Sequence, residues 1–374
     1  MKNSVKQHAS ALTAVLACLA LALVLYHSLA GGTLLQSSPY NSYALQAENW
    51  LAGRNNIANG ENYTWLELAI YQGRYYQSFP PVPAVLMLPF VAAAGEWSAI
   101  PGNLIAMGLA LLCAGGVYAC CMRGGMQPVT CAFFTLFVSM GSNVFWMSTS
   151  DGVWFLAQVC ALGFAFWGLF FAQGGNAVQD AAASLCMALA VGCRPFYALL
   201  LACWLGWQFY QRRSLKRILP ALLPAVVMAA CMMAYNFARF GSVTEFGHNY
   251  LPEFVRAENG QFSLTYLVPN LLQLLRPVTL DAQGQLHFEI YNGFLFFAAN
   301  PLFLLAMVRG LLLRLPGHQA EVQVSVPLPS AGWFVAAMCL LMTCLTCMHH
   351  TLGGWQFGAR YMVCLLYTSD AADD

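Results

Sequence analysis

Long apolar runs separated by short polar stretches set the pattern of this chain. Behind a short basic start, Met1 to His8, the run Ala9 to about Ala30 is long enough to cross a bilayer. It exceeds the roughly 7 to 15 residues of a signal-peptide core and no clean cleavage site follows, so it predicts a first spanning helix that stays. Further spans are predicted at Pro101–Cys121, Val129–Trp146, Gly152–Phe171, Ile218–Tyr235, Phe294–Met307 with its flanks, and Ala331–Met348. Ala181–Tyr210 is also apolar but is broken at Arg194-Pro195, where proline removes a helix hydrogen bond; two short spans meeting at the surface are predicted there. Val82–Ala94 holds only about a dozen apolar residues, short of the roughly 20 a span needs, and predicts a partly inserted helix that does not cross.

The first long polar interruption, Pro39 to Pro83, interleaves Glu48, Glu61, Glu67, Arg54 and Arg74 with eight Tyr and Trp residues. In residues 40 to 52, Tyr40, Tyr43, Leu45, Ala47, Trp50 and Leu51 recur at near-helical spacing, which predicts an amphipathic helix with one face along lipid and Glu48 towards water or a cleft. Tyr and Trp favour the boundary between wet and dry, so the stretch reads as two short juxtamembrane helices at the bilayer surface.

Composition agrees with the pattern. Only 8% of the residues are charged and 59% are hydrophobic, against about 25% charged in a soluble domain, so the fold class is all-α: a polytopic transmembrane helical bundle with external juxtamembrane helices. The basic residues form no stripe alternating with base-stacking aromatics, which excludes a nucleic-acid surface. Most of the 14 cysteines fall inside apolar runs, where a thiol behaves as a small hydrophobe. Cys344 and Cys347, followed by His349 and His350, invite a metal reading but lack a second ligand pair.

Charge placement orients the bundle. With the amino terminus inside, the inner side receives Lys2, Lys6, Arg123, Arg212, Arg213, Lys216, Arg217, Arg309 and Arg314, as the positive-inside rule requires. The external stretches are then about 31–100, 147–151, 236–292 and 349–361. After Tyr361 a new apolar run stops after six residues, and CLLYTSDAADD resembles translated sequencing-adaptor read-through. Residues 364–374 are therefore read as a non-native tail on a transmembrane domain of 1–363 that is cut short.

Candidate chemistry lies in the external stretches. Asp151, in WMSTSDGVWF, is a carboxylate at a membrane boundary, costly unless solvated or used; the plainer reading is a helix N-cap shared with Ser148, Thr149 and Ser150. Glu48 could face it across an external cleft, two carboxylates suiting general-base work or a divalent cation, with Glu67 a competitor. NFARFGSVTEFGHNY offers Arg239 for a phosphate, or an anchor in which Arg239 pairs with Glu245, and includes His248; HHTLGGWQFGARY offers Arg360 in the same way.

In their order and sidedness these motifs resemble the polytopic glycosyltransferases of the C-type fold, the superfamily of protein mannosyltransferases and lipid A aminoarabinose transferase. YALQAENWLAG with GRYYQSFPPVPAVLMLP looks like their first external loop, and STSDGVWF like their second acidic motif. The resemblance implies a bacterial inner-membrane enzyme that transfers a sugar from a polyprenyl-phosphate donor to an envelope acceptor. Glu48 or Asp151 would be the base, with Arg239, Arg360 or Arg74 on the departing phosphate, and Glu67, Glu245 and His248 elsewhere in the cleft. Better-known relatives carry an Asp a few residues before the YxxxA pattern, here Tyr43 to Ala47; this chain has Ser38, Pro39, Tyr40 and Asn41 there. A non-catalytic carrier-binding protein of envelope assembly is the alternative, and a transporter a third class.

Overall fold

The structure is a computed structural model that describes residues 2–287 and 340–352. The predicted span 294–307, most of the span 331–348, Arg309, Arg314, Arg360 and the 364–374 tail lie outside the described residues.

Apolar runs become helices, and neither Pro89, Pro220 and Pro224 nor the Gly115-Gly116 pair interrupts the helix that contains it. Helix α1 is Lys2–Leu29, and α2 is Ser42–Leu51, capped by the Asn41 side chain, which accepts from Ala44 N. Strands β1 (Leu68–Tyr71) and β2 (Arg74–Gln77) pair antiparallel, Leu68 opposite Gln77 and Tyr71 opposite Arg74. Helices α3 (Val82–Ala94), α4 (Gly102–Arg123), α5 (Pro128–Met140), α6 (Val144–Met147), α7 (Val153–Ala172), α8 (Ala177–Val191), α9 (Ala198–Arg212) and α10 (Leu215–Phe240) follow, then the single-turn α11 (Pro252–Val255) and α12 (Leu267–Leu274). Four of these helices contain segments long and apolar enough to cross a membrane: Ser4–Leu29, Gly102–Arg123, Val153–Ala172 and Ile218–Phe240.

Three sequence expectations are corrected. The predicted span Val129–Trp146 is instead α5, 13 residues long, a bend at Gly141 and Ser142, and one turn of α6. The second juxtamembrane helix is the β1–β2 hairpin, whose turn residues Gln72 and Gly73 both have left-handed φ, 50° and 72°, the geometry of a tight hairpin turn. Helix α2 does not lie along lipid: Tyr43, Ala44 and Ala47 are fully buried, because α3 packs against one side of it and the hairpin end against another. By contrast, Val82–Ala94 is the 13-residue helix its length predicted, and the broken segment divides into α8 and α9 at Gly192–Arg194, as proline requires.

The contacts divide the chain into two units, Met1–Ser139 with Met147–Gln261, and Met140–Trp146 with the residues from Phe262 onward. Within the first, α4 packs on α7, α7 on α8 and α8 on α10. Helix ends collect at two levels. At one, His8 Nδ1 meets Tyr118 Oη at 3.1 Å and Arg212 ion-pairs with Asp180 at 2.6 Å; Lys6, Arg123, Arg213 and Lys216 belong to the same ends. At the other, the loop end, His27 Nδ1 meets Thr33 Oγ1 and Val82 N donates to Gly192 O. The first polar stretch, the starts of α4 and α7 and the end of α10 all gather there.

The second unit, described by itself, holds α12 and a two-residue strand pair, Thr279–Leu280 with Leu286–His287. Asn270 Nδ2 donates to Cys347 O and His349 O, at 2.9 and 2.7 Å.

Candidate functional site

Asp151 sits in the five-residue link, 148–152, between α6 and α7, with no exposed surface. Its Oδ2 accepts from Ser37 Oγ at 2.6 Å and Asn41 Nδ2 at 2.7 Å, and its Oδ1 from Ser38 N at 2.7 Å. Its own N–H donates to Asn103 Oδ1 at 3.2 Å. Gly102 makes the approach feasible: a Cβ there would lie 1.7 Å from Asp151 Oδ2. Burial pushes the Asp151 carboxyl above the ordinary carboxylate range, and the bonds from Ser37, Ser38 and Asn41 pull it back part of the way. It caps no helix, since Gly152 holds the cap position of α7 without a side-chain bond. Both oxygens accept from the segment 37–41, so Asp151, expected from the sequence as a base, also clamps that segment to the start of α7.

Glu48 does not share this clamp. It lies seven residues, roughly 10 Å, along α2 from Asn41. Its half-exposed carboxyl is pushed up by burial and by Glu96, and held back by the Trp97 backbone N–H and by Arg54. Glu67, from the start of the hairpin, accepts from Trp154 Nε1 at 2.9 Å, while Arg194 donates to Trp154 O at 2.7 Å. One tryptophan thus ties an acid and a cation together. Glu253 beside it is pushed up by burial and by the Glu67 charge.

The other face of α2 meets the hairpin end and α10. Ser42 Oγ accepts from Gln77 Nε2 at 2.8 Å, Tyr43 stands edge-on to Phe79, and Trp50 edge-on to Tyr235. Arg239, 4% exposed, donates to Gln77 O at 2.6 Å and to Asn236 Oδ1 at 3.0 Å. Its guanidinium lies 3.9 Å from the Tyr235 ring centre and 4.7 Å from that of Phe240. It has no ion pair with a described carboxylate: Glu245, offered as its partner by the sequence, accepts instead from Gly247 N and Asn249 Nδ2. Four buried side chains around α2, the hairpin end and α10 keep polar atoms without a hydrogen-bond partner among the described residues: both amide atoms of Gln46, Gln77 Oε1, Arg239 Nε, and Tyr43 Oη, which lies in the field of Arg194. Burial raises the Tyr43 hydroxyl above its ordinary range, so it stays a neutral donor.

Below the seam an apolar cavity of about 380 Å³ lies between α8, α9 and α10. Ala188, Leu201, Ala225, Met228, Ala229 and Met232 form its walls, and at the loop end it reaches Asn236 and Thr244. Asn236, one of the lining residues, is also the side chain that accepts from Arg239.

His248 stacks edge-on against Phe79 at 5.9 Å, and Phe79 also lies under Arg194 at 5.6 Å. Arg74 is exposed at the hairpin turn. Among the described residues no three His, Cys, Asp or Glu side chains gather to hold a metal ion; His349 Nδ1 turns to Thr351 O. Gln46, Gln77 and Asn236 were not singled out in the sequence, where only the polar character of Gln46 between Tyr43 and Trp50 on one helical face hints at them. No known family matches the chain, nor does any curated protein or solved structure.

Proposed function

We propose that this is a membrane protein that binds a polyprenyl-phosphate carrier from the leaflet at the loop end and transfers the sugar it bears to an envelope acceptor. The observation that carries the reading is the junction of apolar cavity and cation. The cavity at the α8, α9 and α10 walls suits an isoprenoid tail, and Arg239, without a carboxylate partner among the described residues, is joined to the cavity through Asn236, one of its lining residues. A guanidinium between aromatic rings is suited to a phosphate that leaves water for such a site. By the charge asymmetry the loop end faces outward across a bacterial inner membrane, so the donor is taken from the outer leaflet.

In this reading Glu67 is the carboxylate closest to the chemistry. Its backbone O accepts from Ser78 Oγ at 3.0 Å, which sets it one residue from Gln77, and it would take the acceptor hydroxyl proton as that oxygen attacks the anomeric carbon. Departure of the carrier phosphate then places new charge beside Arg239. A second reading, carrier binding without transfer, is favoured by one observation: the stretch where the resembled family has its acid is occupied here by donors to Asp151.

Filling the cavity tests both readings. Ala229→Trp is expected to weaken binding of labelled polyprenyl phosphate in nanodiscs at least tenfold, with about 1–3 kcal/mol lost in stability from overpacking. Unchanged binding in a folded variant would remove the cavity from the account. Sugar transfer by wild-type membranes from a labelled polyprenyl-phosphate hexose then separates enzyme from binding protein.

A further inference from the structure

We propose that the end of α9 and the start of α10 form a docking surface for an anionic phospholipid of the leaflet opposite the loop end, its phosphate held by Arg213 and Lys216. The inference is independent of the carrier reading above.

Sequence and backbone gather the charge. Residues 212–217 carry four cations, Arg212, Arg213, Lys216 and Arg217, and no acid. Arg212 is used within the bundle, on Asp180. Arg213 and Lys216 are exposed and make no ion pair among the described residues. Arg213 ends α9 in a left-handed conformation, φ 50°, where glycine is the easier residue. Its guanidinium turns back along α9: Nε donates to Tyr210 O at 2.9 Å, and the central carbon lies 4.6 Å from the Tyr210 ring centre. With Nε spent on the backbone, the two terminal nitrogens suit a phosphate oxygen pair.

The surroundings change in polarity in the order that a phospholipid does. Tyr210 stacks on Trp207, 6.0 Å between ring centres, and both are exposed; such rings favour the headgroup level of a bilayer. On α10, Lys216, Leu219, Leu223, Val226 and Val227 recur at helical spacing and all are exposed. One stripe therefore runs from a cation into aliphatic surface. A free phosphate uses the cations alone, whereas a phospholipid uses cations, rings and stripe, so a lipid is the occupant. A zwitterionic lipid brings an ammonium towards the same cations and loses part of the attraction. The site is distinct from the one at Arg239, because Lys216 and Arg239 stand at opposite ends of the 26-residue α10, roughly 35 Å apart and so about a bilayer apart.

The test uses the full chain in nanodiscs of equal parts phosphatidylglycerol and phosphatidylcholine, with the lipid retained on transfer to detergent counted by native mass spectrometry. Wild type is expected to retain phosphatidylglycerol about tenfold over phosphatidylcholine, and glycerol 3-phosphate is expected not to displace it. Arg213→Gly with Lys216→Gln is expected to abolish the preference while thermal stability in lipid-free detergent holds, since glycine relieves the left-handed backbone; Lys216→Gln alone serves if the pair folds poorly. Lys6→Gln with Arg123→Gln removes the same charge from other helix ends at that level and is expected to keep the preference. No preference in wild type, or a full preference in the folded Arg213 and Lys216 variants, would overturn the site. Equal losses in the two double variants would overturn it in favour of diffuse attraction. Displacement by glycerol 3-phosphate would overturn the lipid and leave a site for small anions.

Discussion

Asp151→Ala is expected to cost about 4 kcal/mol of stability, enough to unfold a protein of ordinary marginal stability. Three donors would lose their acceptor: Asn41 Nδ2, fully buried, and Ser37 Oγ and Ser38 N, partly buried. Asp151→Asn should fare little better, since its amide nitrogen would face one of those donors. Gly102→Ala attacks the same contact from the other side, because its Cβ would lie 1.7 Å from Asp151 Oδ2; α4 or the first polar stretch would have to shift, at about 3 kcal/mol. Thermal unfolding in detergent reads all three. A catalytic Asp151 would instead give an Asn variant of near wild-type stability and no transfer, so stability and activity must be measured on the same preparations.

Arg239→Gln should weaken polyprenyl-phosphate binding by about a hundredfold, roughly 3 kcal/mol, the worth of charge-assisted bonds to a phosphate in a site that excludes water. Stability should fall much less, by about 1 kcal/mol, since glutamine retains one donor for Gln77 O or Asn236 Oδ1. Arg239→Lys keeps the charge but loses the planar fork between Tyr235 and Phe240, so it should recover only part of the binding. Isothermal titration with bare carrier in nanodiscs separates these effects from any on transfer. Equal losses of binding and stability in the Gln and Lys variants would make Arg239 a structural cation that ties α10 to the hairpin.

Much of the scaffold was legible because its signals are local. Pro195 breaks the α8–α9 segment, and the dozen apolar residues of Val82–Ala94 make a helix of that length. The aromatic content of Leu68–Gln77 points to a surface helix and masks the hairpin, whose signal is the Gln72-Gly73 turn between two short apolar-aromatic runs. The α5 helix is shorter than its hydropathy suggests because Gly141 and Ser142 end it. At the site, the sequence marked Asp151 as unusual, but its role depends on donors more than 100 residues earlier in the chain. No spacing rule links them. Gln46, Gln77 and Arg239 are likewise joined only once the hairpin folds under α2 and α10 packs beside it.

The central claim is that an isoprenoid phosphate lies along α8 and α10 with its head at Arg239. Photo-crosslinking with a polyprenyl phosphate carrying a diazirine in its second isoprene unit, followed by peptide mapping, tests it most directly. Adducts on the cavity walls, at Met228, Met232 or Leu201, that disappear with excess unlabelled carrier and in Ala229→Trp are the predicted result. Adducts scattered over the exposed faces of α1 and α10, insensitive to competitor, would contradict it.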